Sequence, residues 1–171
     1  MSKSKSFFIV GVFTIVLLFG VYFMRMVTYP IAYQDTFKMY SGEYGVPCAV
    51  ALAVAKCESD FEVNAVSKAG AVGVMQLMPE TAKYIATKIS YNNEINLYDY
   101  KVNIMLGCAY LSYLYNKFGD FKQVIMAYNA GEGRVTEWLK TDPKLNTKPY
   151  SETKIYYEKV KFAKFIYENI V

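Results

Sequence analysis

The chain has 171 residues, 54% of them hydrophobic, which is enough for one domain with a buried core. It contains no histidine, and this excludes a Ser-His-Asp triad, a Cys-His pair and a His-ligated zinc site. Net charge is +4, yet Lys3, Lys5 and Arg25 supply three of the 19 basic residues; the other 16 face 15 acids, so there is no basic excess of the kind a nucleic-acid protein needs.

Residues 1–6 read as a cytoplasmic tail and 7–27 as a transmembrane signal anchor. Phe7 to Met24 runs without a charge, and eighteen apolar or small residues can cross a bilayer core as a helix. Lys3 and Lys5 precede the run and Arg25 follows it. The positive-inside bias then leaves the N-terminus in the cytoplasm and the rest outside a bacterial cell membrane, crossed once. A cleaved signal peptide is the competing reading, but the run is long for one and no small-x-small site follows. An extracytoplasmic domain has no ATP or nicotinamide pool, so the sequence favours a hydrolase, a lyase or a binding module, with no cofactor and no metal.

Residues 29–171 form the expected globular domain. Tyr29 to Tyr44 reads as a short helix with Ile31, Phe37 and Tyr40 facing inward, and Glu43 to Pro47 as a turn. CAVALAVAKC, from Cys48 to Cys57, is apolar nearly all round and predicts a helix buried on most sides, ending near Phe61. Asn64 to Ala71 is loop-like. Met75 to Lys88 reads as helical, its regular part opening at Pro79. After a polar loop at 91–98, Lys101 to Phe118 carries apolar residues at helical spacing and stops at Gly119. Phe121 to Asn129 and Val135 to Leu139 are two shorter helices, with Gly131 and Gly133 as terminators. Thr141 to Tyr150 is a loop with two prolines, and Ser151 to Asn169 closes the chain as a helix. No segment alternates with a two-residue period. The domain reads as all-α.

Cys48, Cys57 and Cys108 fit no metal spacing and give no disulfide framework. They read as small buried apolar residues, with a Cys57–Cys108 bridge as an unsupported alternative.

Glu58 carries the candidate chemistry. Val50, Val54 and Glu58 recur every fourth residue and share one helix face. The carboxyl thus ends an apolar face at a helix C-terminus, where desolvation and the helix dipole both disfavour its charge. A carboxylic acid protonated near neutral pH is a general acid, the group that glycosidic cleavage requires. A solvated helix-end glutamate is the plain alternative.

The residues downstream weigh against that alternative. ESDFEVNAVSKAGAVGVMQLMPETA runs from Glu58 to Ala82, followed by NIMLGCAYL, AYNAGEGRV and SETKIYYEKV, in that order. This resembles the catalytic domain of lytic transglycosylases, the lysozyme-like family related to goose-type lysozyme, over roughly Tyr29 to Phe165. The resemblance implies a mainly helical, lysozyme-like domain that acts on peptidoglycan glycan strands. It makes Glu58 the general acid and base. It implies glycan contacts at Ser67, Gln76 and Met78, a Tyr128-Asn129 pair lining the site, and further contacts at Glu152 and Tyr156. Amides and hydroxyls suit sugar hydroxyls and N-acetyl groups, tyrosines suit sugar rings, and Gly70 and Gly73 would let backbone approach a saccharide. Met78 and Tyr156 would equally suit a core.

Two departures stand out. Glu62 and Val63 replace the family's Asn-Pro, and Lys154 replaces the arginine of its Glu-Thr-Arg block, where lysine lacks the bidentate fork. Ordinary glycosidases use two carboxylates, and Asp60 and Glu62 are the local candidates for a second. The resemblance implies one instead: Glu58 protonates the β-1,4 glycosidic oxygen between N-acetylmuramic acid and N-acetylglucosamine, and the sugar's own C6 hydroxyl attacks, leaving a 1,6-anhydro end. A hydrolytic muramidase and a non-catalytic glycan-binding module of an envelope assembly are the rivals.

Overall fold

The apolar segment CAVALAVAKCES folds as helix α3, Cys48–Ser59, and every residue from Ala49 to Ala55 is buried. Four of those seven are alanines, which keep the helix slim enough to be covered on all sides. A computed structural model of the protein describes residues 3–171 of the chain; the side chains of residues 3–6, 8–10 and 21–26 lie outside the description, as do Met1 and Ser2.

The chain divides into two units, Met1–Ile31 and Ala32–Val171. The first holds helix α1, Lys3–Thr28. Its described apolar side chains are exposed, Phe7 at 79%, Phe13 at 69% and Phe19 at 67% among them. Among the described residues, no helix is long and apolar enough to cross a membrane. The expected anchor at 7–27 falls in part on side chains outside the description.

The second unit is helical: α2 (Gln34–Glu43), α3, α4 (Pro79–Lys88), α5 (Tyr100–Phe118), α6 (Phe121–Ala130), α7 (Glu132–Leu139) and α8 (Ser151–Glu168). Among the described residues the only β pairing is two isolated bridges, Val66 to Val72 and Val72 to Leu77. Helix α3 packs against α8, α2 and α5; α5 also carries α4 and α6, and α6 joins α7 and α8. Ten residues of α5 are buried, so α3 and α5 form the centre.

Helix ends follow residue chemistry. The Asp99 carboxylate caps α5 by accepting from Lys101 N–H, and Asp120 caps α6 by accepting from Gln123 N–H. Gly119, at φ 71, ends α5 in the left-handed conformation a C-terminal glycine permits. Helix α3 ends without a glycine. Asp60 and Phe61 both take positive φ, 55 and 65, a costly choice for side-chain-bearing residues. Phe61 is buried and meets the Phe37 and Tyr167 rings edge-on, at 6.0 and 6.4 Å, and that packing holds the break in place.

Several expectations shift. Helix α2 starts at Gln34, not Tyr29, because Tyr33 is left-handed at φ 56 and stacks on Tyr100 at 4.4 Å. Helix α3 stops at Ser59, two residues before Phe61, at the break just described. Met75 to Met78 is not helical. Gly73 and Gln76 have positive φ, Val72 and Leu77 exchange backbone hydrogen bonds, and Pro79 holds Met78 extended. Gly131 does end α6, but Gly133 lies inside α7. Cys57 and Cys108 are free thiols, as is Cys48.

Candidate active site

Glu58 sits in the last turn of α3, and the break at Asp60 and Phe61 turns the chain away just beyond it. Burial pushes its carboxyl up to about 7, and a hydrogen bond from Tyr156 opposes that rise. The Tyr156 hydroxyl donates to Glu58 Oε1 at 2.6 Å. Part of Glu58 stays open to solvent, so the acid is enclosed by protein yet reachable. The hydroxyls of Tyr156 and Tyr128 are held well above the usual tyrosine range, first by their own burial and next by the nearby Glu58 charge.

Tyr128, on α6, donates its hydroxyl to the Met75 carbonyl at 2.8 Å. It also lines a cavity of about 240 Å³ with Gln76, Met78, Thr81, Tyr110 and Asn129. The cavity therefore gathers four of the sequence-predicted residues: Gln76, Met78, Tyr128 and Asn129. Met78 is 36% exposed at its wall rather than part of the core.

Gln76, Leu77 and Met78 reach the cavity wall from the end of a loop, residues 65–78, that is fastened to α3 and α5 and to itself. Ser59, next to Glu58, donates to the Val74 carbonyl at 2.7 Å and ties the loop to α3. Asn103, fully buried on α5, accepts from Met75 N–H at 2.7 Å and donates to the carbonyls of Val72 and Leu97 at 2.9 and 3.0 Å. Gln76 donates both amide hydrogens inward, to the carbonyls of Ala65 and Gly73 at 3.0 Å each. Its remaining offer to a ligand is the amide oxygen. Gly73, at φ 80, has no room for a Cβ between Asn103 and the Leu97 carbonyl, so this glycine serves the packing of the loop onto α5.

The other expected contacts lie apart from the cavity wall. Ser67 is half-buried and its Oγ accepts from Ala71 N–H at 3.0 Å, a bond that shapes the same loop. Glu152 is exposed in the first turn of α8. Lys154 faces the outer groove of that helix with Ile155, Glu158, Lys159 and Phe162. Asp60 is exposed and pairs with Lys56 at 2.5 Å, and Glu62 is exposed. Neither flanks Glu58 as a buried second carboxylate. No group of three or more Cys, Asp or Glu side chains able to hold a metal ion occurs among the described residues.

Ser59, Thr81, Asn103 and Tyr110 were not singled out from the sequence. Asn103 did carry a signal: an amide between Val102 and Ile104, on a helix otherwise apolar toward the core, must find partners there.

Residues 35–151 match the family described as the transglycosylase SLT domain. The chain belongs to this family. It is 36% identical over 143 residues to the soluble lytic murein transglycosylase of Escherichia coli K12, which covers 77% of this chain but 22% of that protein. It is 35% identical over 127 residues to the membrane-bound lytic murein transglycosylase C of Edwardsiella ictaluri, covering 64% of this chain and 34% of that protein. The crystal structure of the 70-kDa soluble lytic transglycosylase from Escherichia coli superposes with a TM-score of 0.78 at 34% identity, over 83% of this chain and 25% of that one. The mainly helical, lysozyme-like fold is thereby shared. The chain spans about a fifth to a third of these relatives' own length.

Proposed function

We propose that this protein is a peptidoglycan lytic transglycosylase in which Glu58 acts first as acid and then as base. The observation that carries this reading is the single enclosed carboxyl. Burial holds it near neutrality, and its charge acts on Tyr128, which lines a cavity together with amide and tyrosine side chains. At about pH 7 such a group is present in both protonation states, as a residue that must give and then regain a proton requires.

The reaction balances without a second carboxylate and without water. Glu58 protonates the oxygen that bridges N-acetylmuramic acid to N-acetylglucosamine, and the bond from C1 to that oxygen breaks. The C6 hydroxyl of the muramic acid bonds to C1, and its proton returns to Glu58. One strand leaves with a free 4-hydroxyl and the other with a 1,6-anhydro end. Intramolecular attack suits a one-carboxylate site because the nucleophile is already in place. In this scheme Gln76, Met78, Tyr128 and Asn129 hold the glycan against Glu58, Ser67 and Glu152 contact it further along the strand, and Tyr156 sets the proton affinity of the acid.

Mass spectrometry of sacculi digested by the full chain tests the proposal. Products with anhydro-muramic ends are expected. Products carrying one added water would mean a hydrolytic muramidase, and sacculus binding with no release would mean a glycan-binding module.

The N-terminal unit has a separate role in this reading: residues 7–27 anchor the protein in the bacterial membrane, with 1–6 cytoplasmic and 29–171 outside. Its support is the uncharged run from Phe7 to Met24 between Lys3, Lys5 and Arg25, the exposure of its described apolar side chains, and a relative named as membrane-bound. Retention of the full chain in membranes after alkaline carbonate washing is the expected result; complete extraction would overturn it.

A further inference from the structure

Helix α8 carries apolar side chains on two sides. Tyr156, Val160, Ala163 and Tyr167 are buried on the inner side, where the helix packs against α3 and α6. Ile155, Phe162 and Phe165 are instead 57, 56 and 62% exposed. Ile155 and Phe162 are two turns apart and Phe165 follows one turn later, so the three form an outer stripe. Single exposed apolar residues are ordinary, but a continuous stripe of them marks a surface that meets something.

Lysines border this stripe. Lys154, Ile155, Glu158, Lys159 and Phe162 line a shallow groove along the helix. Glu158, the acid in that groove, pairs with Lys161 at 3.4 Å. Lys154 and Lys159 form no ion pair among the described residues. The face is therefore apolar along its centre and net positive at its rim. A helix of that kind suits an anionic bilayer surface: its apolar side chains enter the boundary between headgroups and acyl chains, and its ammonium groups reach the lipid phosphates. A second copy of the chain fits the face less well, because a two-fold contact would bring the same lysines together.

Chain length favours the same occupant. In the anchor reading, residues 28–31 join the span at 7–27 to the second unit, and four residues reach at most about 14 Å. The second unit then works beside the bilayer, where even a weak surface contact is populated because it is intramolecular.

We propose that the outer face of α8, Ile155, Phe162 and Phe165 bordered by Lys154 and Lys159, docks on the anionic surface of the membrane that holds the chain. The proposal rests on the reading of residues 7–27 as an anchor. Docking also orients the site. Phe165 lies about two and a half turns from Tyr156, on the opposite side of the helix, and Tyr156 is the residue that bonds to Glu58. A domain resting on this face keeps the Glu58 side of α8 away from the lipid.

The test uses the full chain carrying Phe165→Trp, reconstituted into phosphatidylglycerol vesicles whose acyl chains carry bromine, a tryptophan quencher. The native chain, whose one tryptophan is the buried Trp138, is the reference. Vesicle flotation reads the anchor, and quenching of the added emission reads the docking. The chain should float, and the added emission should lose roughly half its intensity relative to unbrominated vesicles. Lys154→Glu with Lys159→Glu should remove most of that loss, as should brominated phosphatidylcholine in place of phosphatidylglycerol. A chain that floats with its added emission unquenched would overturn the docking and leave the anchor standing. A chain that does not float would overturn the anchor and the docking with it. Quenching that ignores both the lysine substitutions and the lipid charge would overturn recognition of an anionic surface. Unquenched emission together with cross-linking of α8 between copies would overturn the proposal in favour of a self-association face.

Discussion

The Tyr156 hydroxyl bonds to the Glu58 carboxylate at 2.6 Å across 98 residues of sequence. Two opposed effects thus meet on one carboxyl: burial raises its proton affinity, and the tyrosine lowers it by favouring the charged form. Tyr156→Phe keeps the ring and the burial but removes the bond. The upper limb of the pH–rate profile should then move to higher pH. A limb that stays in place or moves down would show that Tyr156 does not tune the acid.

Glu58→Gln should lower kcat by a factor of about 10³, the range for loss of a general acid, with sacculus solubilisation as the readout. Near-full activity would remove Glu58 from the mechanism.

The same substitution should change stability with a defined sign. The folded carboxyl titrates at about 7 against an ordinary 4.5, so the folded state binds the proton more tightly than the unfolded chain. Its contribution is fully favourable below pH 4.5 and is lost as pH rises toward 7. Above pH 7 the wild type holds a buried charge that glutamine does not, a difference on the order of 3 kcal/mol at most. Urea midpoints should therefore match at pH 4, and Glu58→Gln should be the more stable chain at pH 8. A wild type as stable as the variant at pH 8 would mean that burial does not raise this carboxyl.

Asn103→Leu should destabilise the domain by about 3 kcal/mol, because one side chain serves Met75 N–H and the carbonyls of Val72 and Leu97 in a buried setting. Gly73→Ala should cost a similar amount, since its Cβ would overlap the Asn103 amide at a positive φ. The two losses should be less than additive, as both break one bracket. Urea denaturation of the two variants and their combination measures this; strict additivity would deny the coupling.

Tyr128→Phe leaves the Met75 carbonyl without its tyrosine donor, at a cost of about 1 kcal/mol. The loop wall should loosen, so KM for glycan oligomers should rise more than kcat falls. The reverse pattern would place the hydroxyl in the chemistry instead.

Sequence patterns read the helices well where apolar spacing was long and caps were present, as in α5 between Asp99 and Gly119. They failed at Met75–Met78, where apolar residues looked helical. Hydrogen bonds from α5, distant in sequence, bend that stretch into a loop. Glu58 was legible because its helix face and the following residues are local. The bracket around it was not, because a side-chain pattern can mark Asn103 as needing partners and Gln76 as polar but does not record which backbone groups they and Ser59 meet.

The sequence alone determined the chemistry available. The absence of histidine excludes imidazole chemistry, and one carboxyl ending an apolar helix face makes Glu58 the candidate for proton transfer. Tertiary structure decided what that glutamate is surrounded by. Helix α8 brings Tyr156 onto Glu58, α6 brings Tyr128 to the Met75 carbonyl, and α5 fixes the loop between them. The physical reason is that proton affinity depends on burial and on hydrogen-bond partners, and both arise only when segments far apart in the chain are packed together.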